Sequence, residues 1–335
     1  MSNKDSVATG VIDRRTVLRG VLGVVFSTFV GGTLADELSS KPFRFIVPAP
    51  PGGGTDTLAR LISGALTTSA KWQFVVENVP GAGGNIGFDR VAKALPDGHT
   101  IAMGESSNLI VNQFLFKNIP FKIERDLMPI ALVAKVPLVL VVAKDSPYQS
   151  VAELVAASKK KPLSFASAGN GTLGHLMGEF WKGKDGLNLM HVPYRGAAQA
   201  MTDVAGGQAD FFFASVTSGL PLINAGKVRG LMVMATTRSP LLGDVPTASE
   251  AGLIGMEAYV VFGVIGPAGI PVPVAERLNQ EINAALSNPE VSRALAALGA
   301  DKATIGGVID SFKRLLQQER TKWSGVVINS GAKVD

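Results

Sequence analysis

The sequence predicts an α/β protein built as two αβ lobes joined by a double-crossing hinge, and three observations predict it. Strand-like apolar segments alternate with helical patterns along most of the chain, the mark of βα units. Glycine-rich loops fall where a strand hands over to a helix. The tail is amphipathic and without a partner in its own neighbourhood, so it returns to an earlier lobe and makes that lobe discontinuous. At 335 residues, 46% apolar and 18% charged, the chain is large enough to fill two cores.

The first element is an export signal. Arg14-Arg15-Thr16-Val17-Leu18-Arg19 precedes an uncharged stretch, Gly20 to Ala35, which is shorter than the roughly 20 apolar residues a spanning helix needs. Thr33 and Ala35 supply the small residues a signal peptidase inspects, so residues 1–35 read as a cleavable signal cut after Ala35. The paired arginines are similar to those of a twin-arginine (Tat) signal, although the usual phenylalanine is lacking, and an ordinary Sec signal is the other reading. Both routes lead to a bacterial periplasm.

Phe43 to Val47 alternates as a strand, Pro48 to Gly54 breaks it, and Thr55-Asp56 opens a helix carrying Leu58, Ala59, Ile62, Ala65 and Leu66. The order repeats with strand Phe74-Val75-Val76, a glycine turn at Gly81 to Gly84, a helix through Val91-Ala92 and strand Thr100 to Met103. Such alternation predicts parallel sheets with helices on both faces. Val136 to Ala143 reads as a doubly buried strand, and the polar breaker Lys144 to Pro147 marks the first crossing between lobes. A second series follows: helix 150–158, strand 163–166, helix 172–182, strand 188–192, helix 196–205, strand 211–213 and strand 230–235. Glu257 to Gly266 is again extended, and the tail carries the stripes Val274, Leu278, Ile282, Leu286 and Phe312, Leu315, Leu316. One lobe is then 36–145 plus 260–335 and the other 146–259, with a cleft between them.

Composition removes several function classes. Lysine and arginine number 32 against 27 acidic residues, and only Lys159-Lys160-Lys161 cluster, so no nucleic-acid partner is expected. The absence of cysteine excludes disulfides, thiolate chemistry and a lipoprotein anchor. There is no G-x-S-x-G elbow, no H-E-x-x-H and no Walker lysine, and Gly81 to Gly87 misses the G-x-G-x-x-G spacing, so no cofactor is expected. His99, His175 and His191 lie far apart without carboxylates at ligand spacing, so no metal is expected either.

Binding features are better supplied. Pro51-Gly52-Gly53-Gly54-Thr55-Asp56 ends a strand and starts a helix, where glycines admit a ligand to backbone N–H groups and the helix dipole favours an anion such as a carboxylate. Asp56 reads as a first-turn cap rather than a general base. The same chemistry recurs at Ala168-Gly169-Asn170-Gly171-Thr172 in the other lobe, facing the first corner across the cleft. Either corner alone reads equally as a capped glycine turn. Gly104-Glu105-Ser106-Ser107-Asn108 is a third polar loop at a strand's C-terminal end, the ligand side of an open α/β sheet, with Ser106 and Ser107 as donors. Tyr194-Arg195-Gly196 pairs an aromatic wall with a guanidinium suited to a carboxylate, or is a solvated helix start. Thr217, among the hydroxyls after the Phe211 to Phe213 strand, is a further donor or a helix cap, and His175 is read as a helix-face residue.

Several ordered pieces then carry a family likeness: Phe45-Ile46-Val47-Pro48-x-x-Pro51-Gly52-Gly53-Gly54-Thr55-Asp56, Glu77-Asn78-x-Pro80 through Asn85-Ile86-Gly87, Pro96-Asp97-Gly98-x-Thr100, Ala166 to Gly169 with His175-Leu176, His191 to Gly196, Gly206-Gly207-Gln208 and Val245-Pro246-Thr247-x-x-Glu250-Ala251-Gly252. Over nearly all of 40–332 the chain resembles the periplasmic substrate-binding receptors of tripartite tricarboxylate transporters, the Bug or TctC-like family. The resemblance implies a type II periplasmic binding protein fold, monomeric, closing on a small organic acid whose carboxylate is held by backbone donors and ordered water, without catalysis. It also implies hand-over to inner-membrane transporter subunits. The loops Pro51–Gly54 and Gly81–Gly87, with Asn85, carry over best. Two departures stand out: Val261-Phe262-Gly263 lacks the tryptophan usual before Phe-Gly, and Phe213-Ala214-Ser215 lacks a common acidic residue. They point to a roomier cleft that disfavours an amino-bearing ligand. Two other readings remain: an orphan sensor with a signalling partner, and a hydrolase using Ser106 or Ser107 with His175.

Overall fold

The computed structural model describes Leu38, residues 41–300 and residues 306–330, so the predicted signal and its cleavage site lie outside the described residues. In the first half, β1 (Phe43–Val47) leads into α1 (Gly54–Ser69), followed by β2 (Phe74–Asn78), α2 (Asn85–Ala92) and β3 (Thr100–Glu105). A π-helical turn, Ser107–Val111, runs into the short α3 (Asn112–Leu115) and α4 (Ile123–Asp126), and β4 spans Leu127–Ala143. The second series is α5 (Val151–Ser158), β5 (Leu163–Ser167), α6 (Leu173–Asp185), β6 (Leu189–Pro193), α7 (Ala197–Ala205), β7 (Phe211–Ser215), α8 (Val216–Asn224) and β8 (Val228–Val233). The chain returns through β9 (Tyr259–Pro267) into α9 (Val272–Ser287), α10 (Pro289–Ala297) and α11 (Ile309–Ser330).

The strands join in the order β2-β1-β3-β9-β4-β7-β5-β6, with β8 paired to β4 off this path. Pairing of β1 with β2 and β3, and of β5 with β6 and β7, is parallel, as βα units require. The sheet is nonetheless mixed, because β9 runs antiparallel to β3 and β4, and β4 runs antiparallel to β7 and β8. The strand expected at 136–143 is in fact 17 residues long. Pro129, Lys135 and Pro137 interrupt its apolar pattern; the register shifts between Pro129 and Ala131 and between Leu132 and Ala134, while Lys135 and Pro137 stay paired with Val261 and Tyr259. From Leu127 to Pro137 it pairs with β9, and from Leu138 to Ala143 with β7 and β8. The exchange of partners therefore falls inside the strand, before the polar turn at Lys144 to Pro147.

Local chemistry fixes the ends of the elements. Ser150 caps α5 by accepting the Glu153 N–H, while the Glu153 carboxylate takes the Gln149 N–H at 2.6 Å. In α9 the stripe Val274, Leu278, Ile282 and Leu286 is buried against α1 and β4. Phe312 of α11 packs so closely on Gly263 that a Cβ there would lie 2.2 Å from its ring. Beyond that anchor α11 runs against α6 as well as β4 and the π turn. The tail thus touches both series, where the sequence predicted a return to the first alone.

Candidate functional site

A cleft of about 940 Å³ lies where the loops after β1, β2, β3, β5, β6 and β7 converge. All six leave the C-terminal ends of their strands, the side on which open α/β sheets bind ligands. The β1–α1 loop contributes Pro51, Gly53, Gly54 and Thr55; β3 and the π turn contribute Glu105 and Ser107; the β5–α6 loop contributes Ala168, Gly169, Asn170 and Thr172. Tyr194, Arg195 and Gly196 follow β6, and Phe262 comes from β9. Residues expected from both series thus line one cleft.

The two glycine corners differ in what they leave free. Gly53 is the N-cap of α1 and has no side chain to satisfy the first-turn N–H groups; Ser218 takes that of Gly54, and the helix end carries a partial positive charge of about +0.5 that favours an anion. At the other corner three N–H groups are engaged locally. The Gly169 N–H goes to Ser167 Oγ at 3.2 Å, the Gly171 N–H to His175 Nδ1 at 3.2 Å, and the Thr172 N–H to the Gly169 carbonyl at 3.3 Å. Thr172 caps α6 with its own hydroxyl. Asn170 and the first two residues of α6, Leu173 and Gly174, line the cleft beside these bonds.

Other expected residues stand behind the wall, each for a physical reason. Gly52 donates its N–H to Asp56, and Asp56 also accepts from Arg60 and from Asn78 Nδ2, which in turn bonds the Ala49 carbonyl. Burial acts to raise the Asp56 pKa, but the hydrogen bonds from Arg60, Gly52 and Asn78 outweigh it and hold the carboxyl below its ordinary value. Asp56 is therefore the brace of the β1–α1 loop. Asn85 accepts from Asn112 Nδ2 at 2.8 Å, Ser106 Oγ accepts the Val261 N–H at 2.8 Å, and Thr217 Oγ1 donates to the Leu298 carbonyl at 2.7 Å. His175 is buried with its ring stacked on His191 at 4.0 Å.

Of the Gly81–Gly87 loop carried over from the resemblance, Gly81 to Gly84 line the cleft with Pro80 while Asn85 does not, and Gly81, Ala82, Gly83 and Gly84 all have positive φ. A Cβ on Gly84 would come within 3.0 Å of the Pro48 carbonyl, so only glycine fits there. Phe116 and Gln199 line the cleft too, and sequence reasoning missed both; of the hydroxyls after β7, Ser215 and Ser218 line it and Thr217 does not. Ser215 also caps α8 through the Ser218 N–H.

The halves of the wall touch across the cleft. The Gly54 N–H donates to Ser218 Oγ at 3.2 Å, and a Cβ on Gly196 would lie 3.1 Å from the Pro50 ring. A Cβ on Gly171 would sit 3.1 Å from Asn112 Oδ1 and 3.5 Å from the Phe116 ring. Charge on the wall is sparse: among the described residues lining it, Glu105 is the acidic one and Arg195 the basic one. The Tyr194 hydroxyl is raised in pKa by burial and by its hydrogen bond to Asp203, which fixes the ring at the edge of the cleft.

Comparison with known proteins follows the same lines. A family model described as the tripartite tricarboxylate transporter family receptor, TctC, matches residues 58–331. A UPF0065 protein from the tcbD-tcbE intergenic region of Pseudomonas sp. strain P51 is 41% identical over 320 residues, covering 95% of this chain and 94% of that one. Protein BugT of Bordetella pertussis is 34% identical, covering 95% of this chain and 99% of its own. The solved structure of R. palustris Rpa4515 with adipate superposes with a TM-score of 0.85 at 32% identity, covering 88% of this chain and 99% of that chain.

Proposed function

The chain belongs to the tripartite tricarboxylate transporter receptor family, and from that premise we propose that it captures a small carboxylate-bearing organic acid in the cleft between its loops. The observation that carries this reading is the start of α1, whose N-cap Gly53 has no capping side chain, on a cleft that Arg195 also lines. Helix-end donors and a guanidinium suit a carboxylate, and charge-assisted hydrogen bonds of about 1.5–3 kcal/mol each reach micromolar affinity with a few well-placed partners. The adipate named with the R. palustris structure is a ligand of this chemical class.

The same reading takes residues 36–145 plus 260–335 as one lobe and 146–259 as the other, with β4 and β9 near the hinge. It takes the cleft residues named above as the ligand site and the periplasm as the place of capture. It has a monomeric receptor pass its acid to inner-membrane transporter subunits without a chemical step. The hydrolase reading loses its support, because Ser106 Oγ is buried accepting the Val261 N–H, the Ser107 hydroxyl bonds Glu105, and His175 Nδ1 accepts the Gly171 N–H, so neither serine is paired with His175. Isothermal titration with adipate and with its diamide tests the proposal. Saturable heat from the acid and none from the amide is expected; equal binding of both contradicts it.

A further inference from the structure

Glu105 is an odd residue to find in a cleft meant for an acid. It ends β3 opposite Phe262 of β9, and its carboxylate Oε2 accepts the Thr55 hydroxyl at 2.7 Å, beside the first turn of α1. Its second partner is the Ser107 hydroxyl, and its backbone N–H is held by Asn108 Oδ1 at 2.9 Å. Both side-chain partners are neutral. The charged groups on the elements around it are engaged elsewhere: Asp56 and Arg60 of α1 pair with each other, and Arg44 of β1 pairs with Glu77. Neither β9 nor the π turn carries a charged residue. Across the cleft stand Arg195, which is exposed, and Tyr194, whose hydroxyl bonds Asp203. Burial pushes the Glu105 carboxyl above its ordinary value, the Thr55 and Ser107 hydroxyls only partly opposing the rise.

Two ionised carboxylates cannot share this corner, since the helix end contributes only about half a positive charge. We propose that Glu105 sets the specificity of the cleft by donating its own carboxyl proton in a hydrogen bond to the ligand's carboxylate, so that each acid captured brings one proton with it. This rests on the carboxylate reading above. The proton comes from solvent, adds to a Glu105 oxygen as the acid enters, and returns to solvent on release. No covalent bond changes otherwise. The Thr55 and Ser107 hydroxyls can still donate to the lone pairs that protonated Glu105 keeps, while its O–H is the one donor the carboxyl offers the ligand. The consequence is selection for ligands whose carboxylate reaches the α1 corner, and stronger capture at acid pH.

The test is isothermal titration of the whole protein with adipate, malate and benzoate from pH 5.5 to 8.5, run in buffers of different ionisation heat. With one proton per ligand, affinity falls by up to about tenfold per pH unit above the titration of free Glu105, and the buffer dependence reports about one proton taken up. Glu105→Gln supplies an uncharged N–H donor, so its affinity is expected to be flat with pH, to show no proton uptake and to exceed wild type by tenfold or more at pH 8.5. Acid binding with no proton uptake, or a Glu105→Gln protein weaker than wild type at every pH, overturns the proposal and leaves the carboxylate reading standing. If none of the three acids binds either protein at any pH, the carboxylate reading falls and this inference with it.

Discussion

No atom lies within 4 Å of where a Cβ on Gly53 would stand, and its backbone is extended at φ −84° and ψ 173°. A larger side chain there meets only the cleft. Gly53→Leu is therefore expected to weaken acid binding by more than roughly tenfold while moving the melting temperature little, measured by titration beside a thermal melt. Asp56 behaves in the opposite way. Its removal leaves the Gly52 N–H, Arg60 and Asn78 short of an acceptor, so Asp56→Ala is expected to cost about 1–3 kcal/mol of stability and to loosen the β1–α1 loop, seen as a lowered melting temperature. The glycines of this loop were legible in the sequence because a strand, a glycine run and a helix follow in order. The distinction between a wall residue and a brace was not, since Thr55 and Asp56 are neighbours and only the fold shows which one faces the cleft.

At the scale of elements, the β5–α6 loop is held by its two histidines. The His191 Nε2 and Ser167 Oγ atoms lie 2.7 Å apart, the His191 ring stacks on Phe165 at 4.9 Å, and His175 takes the Gly171 N–H. Burial lowers the His175 pKa to about 4; burial, with His175 and Lys182 nearby, lowers that of His191 to about 3. Both rings are neutral in the fold, whereas the unfolded chain takes up protons near 6.5. Their contribution is complete above pH 6.5 and is lost as pH falls toward 4 and then 3. Thermal melts should show a falling midpoint from pH 6.5 to 4, and His191→Gln, which keeps a partner for Ser167, should flatten that fall; an unchanged slope would refute the assignment. Neither partnership was readable from spacing, because Ser167 and His191 come from neighbouring parallel strands. The long β4 was hidden differently: Pro129, Lys135 and Pro137 break the pattern that a buried strand normally shows, and its register shifts against β9 are a tertiary event.

For the whole molecule, the βα order predicted the parallel pairs, while β4 and β9, antiparallel to each other and to their other neighbours, made the sheet mixed. The convergence of six loops on one cleft follows from that arrangement, and so do the contacts that span it at Gly54–Ser218, Pro50–Gly196 and Gly171–Asn112. If the two halves close on ligand as proposed, Gly196→Val should hold them apart through the Pro50 ring. Small-angle scattering is then expected to show a wild-type radius that shrinks on adding acid and a variant radius that does not, with affinity reduced in parallel.

The most direct test of the central claim is a thermal-shift series on the purified protein with mono-, di- and tricarboxylic acids, each beside its neutral amide. A ligand that binds only the folded state raises the melting temperature in step with its concentration. The account predicts such a rise with one or more of the acids and none with the matching amides. A rise with amides alone, or with no acid at any concentration, would contradict it.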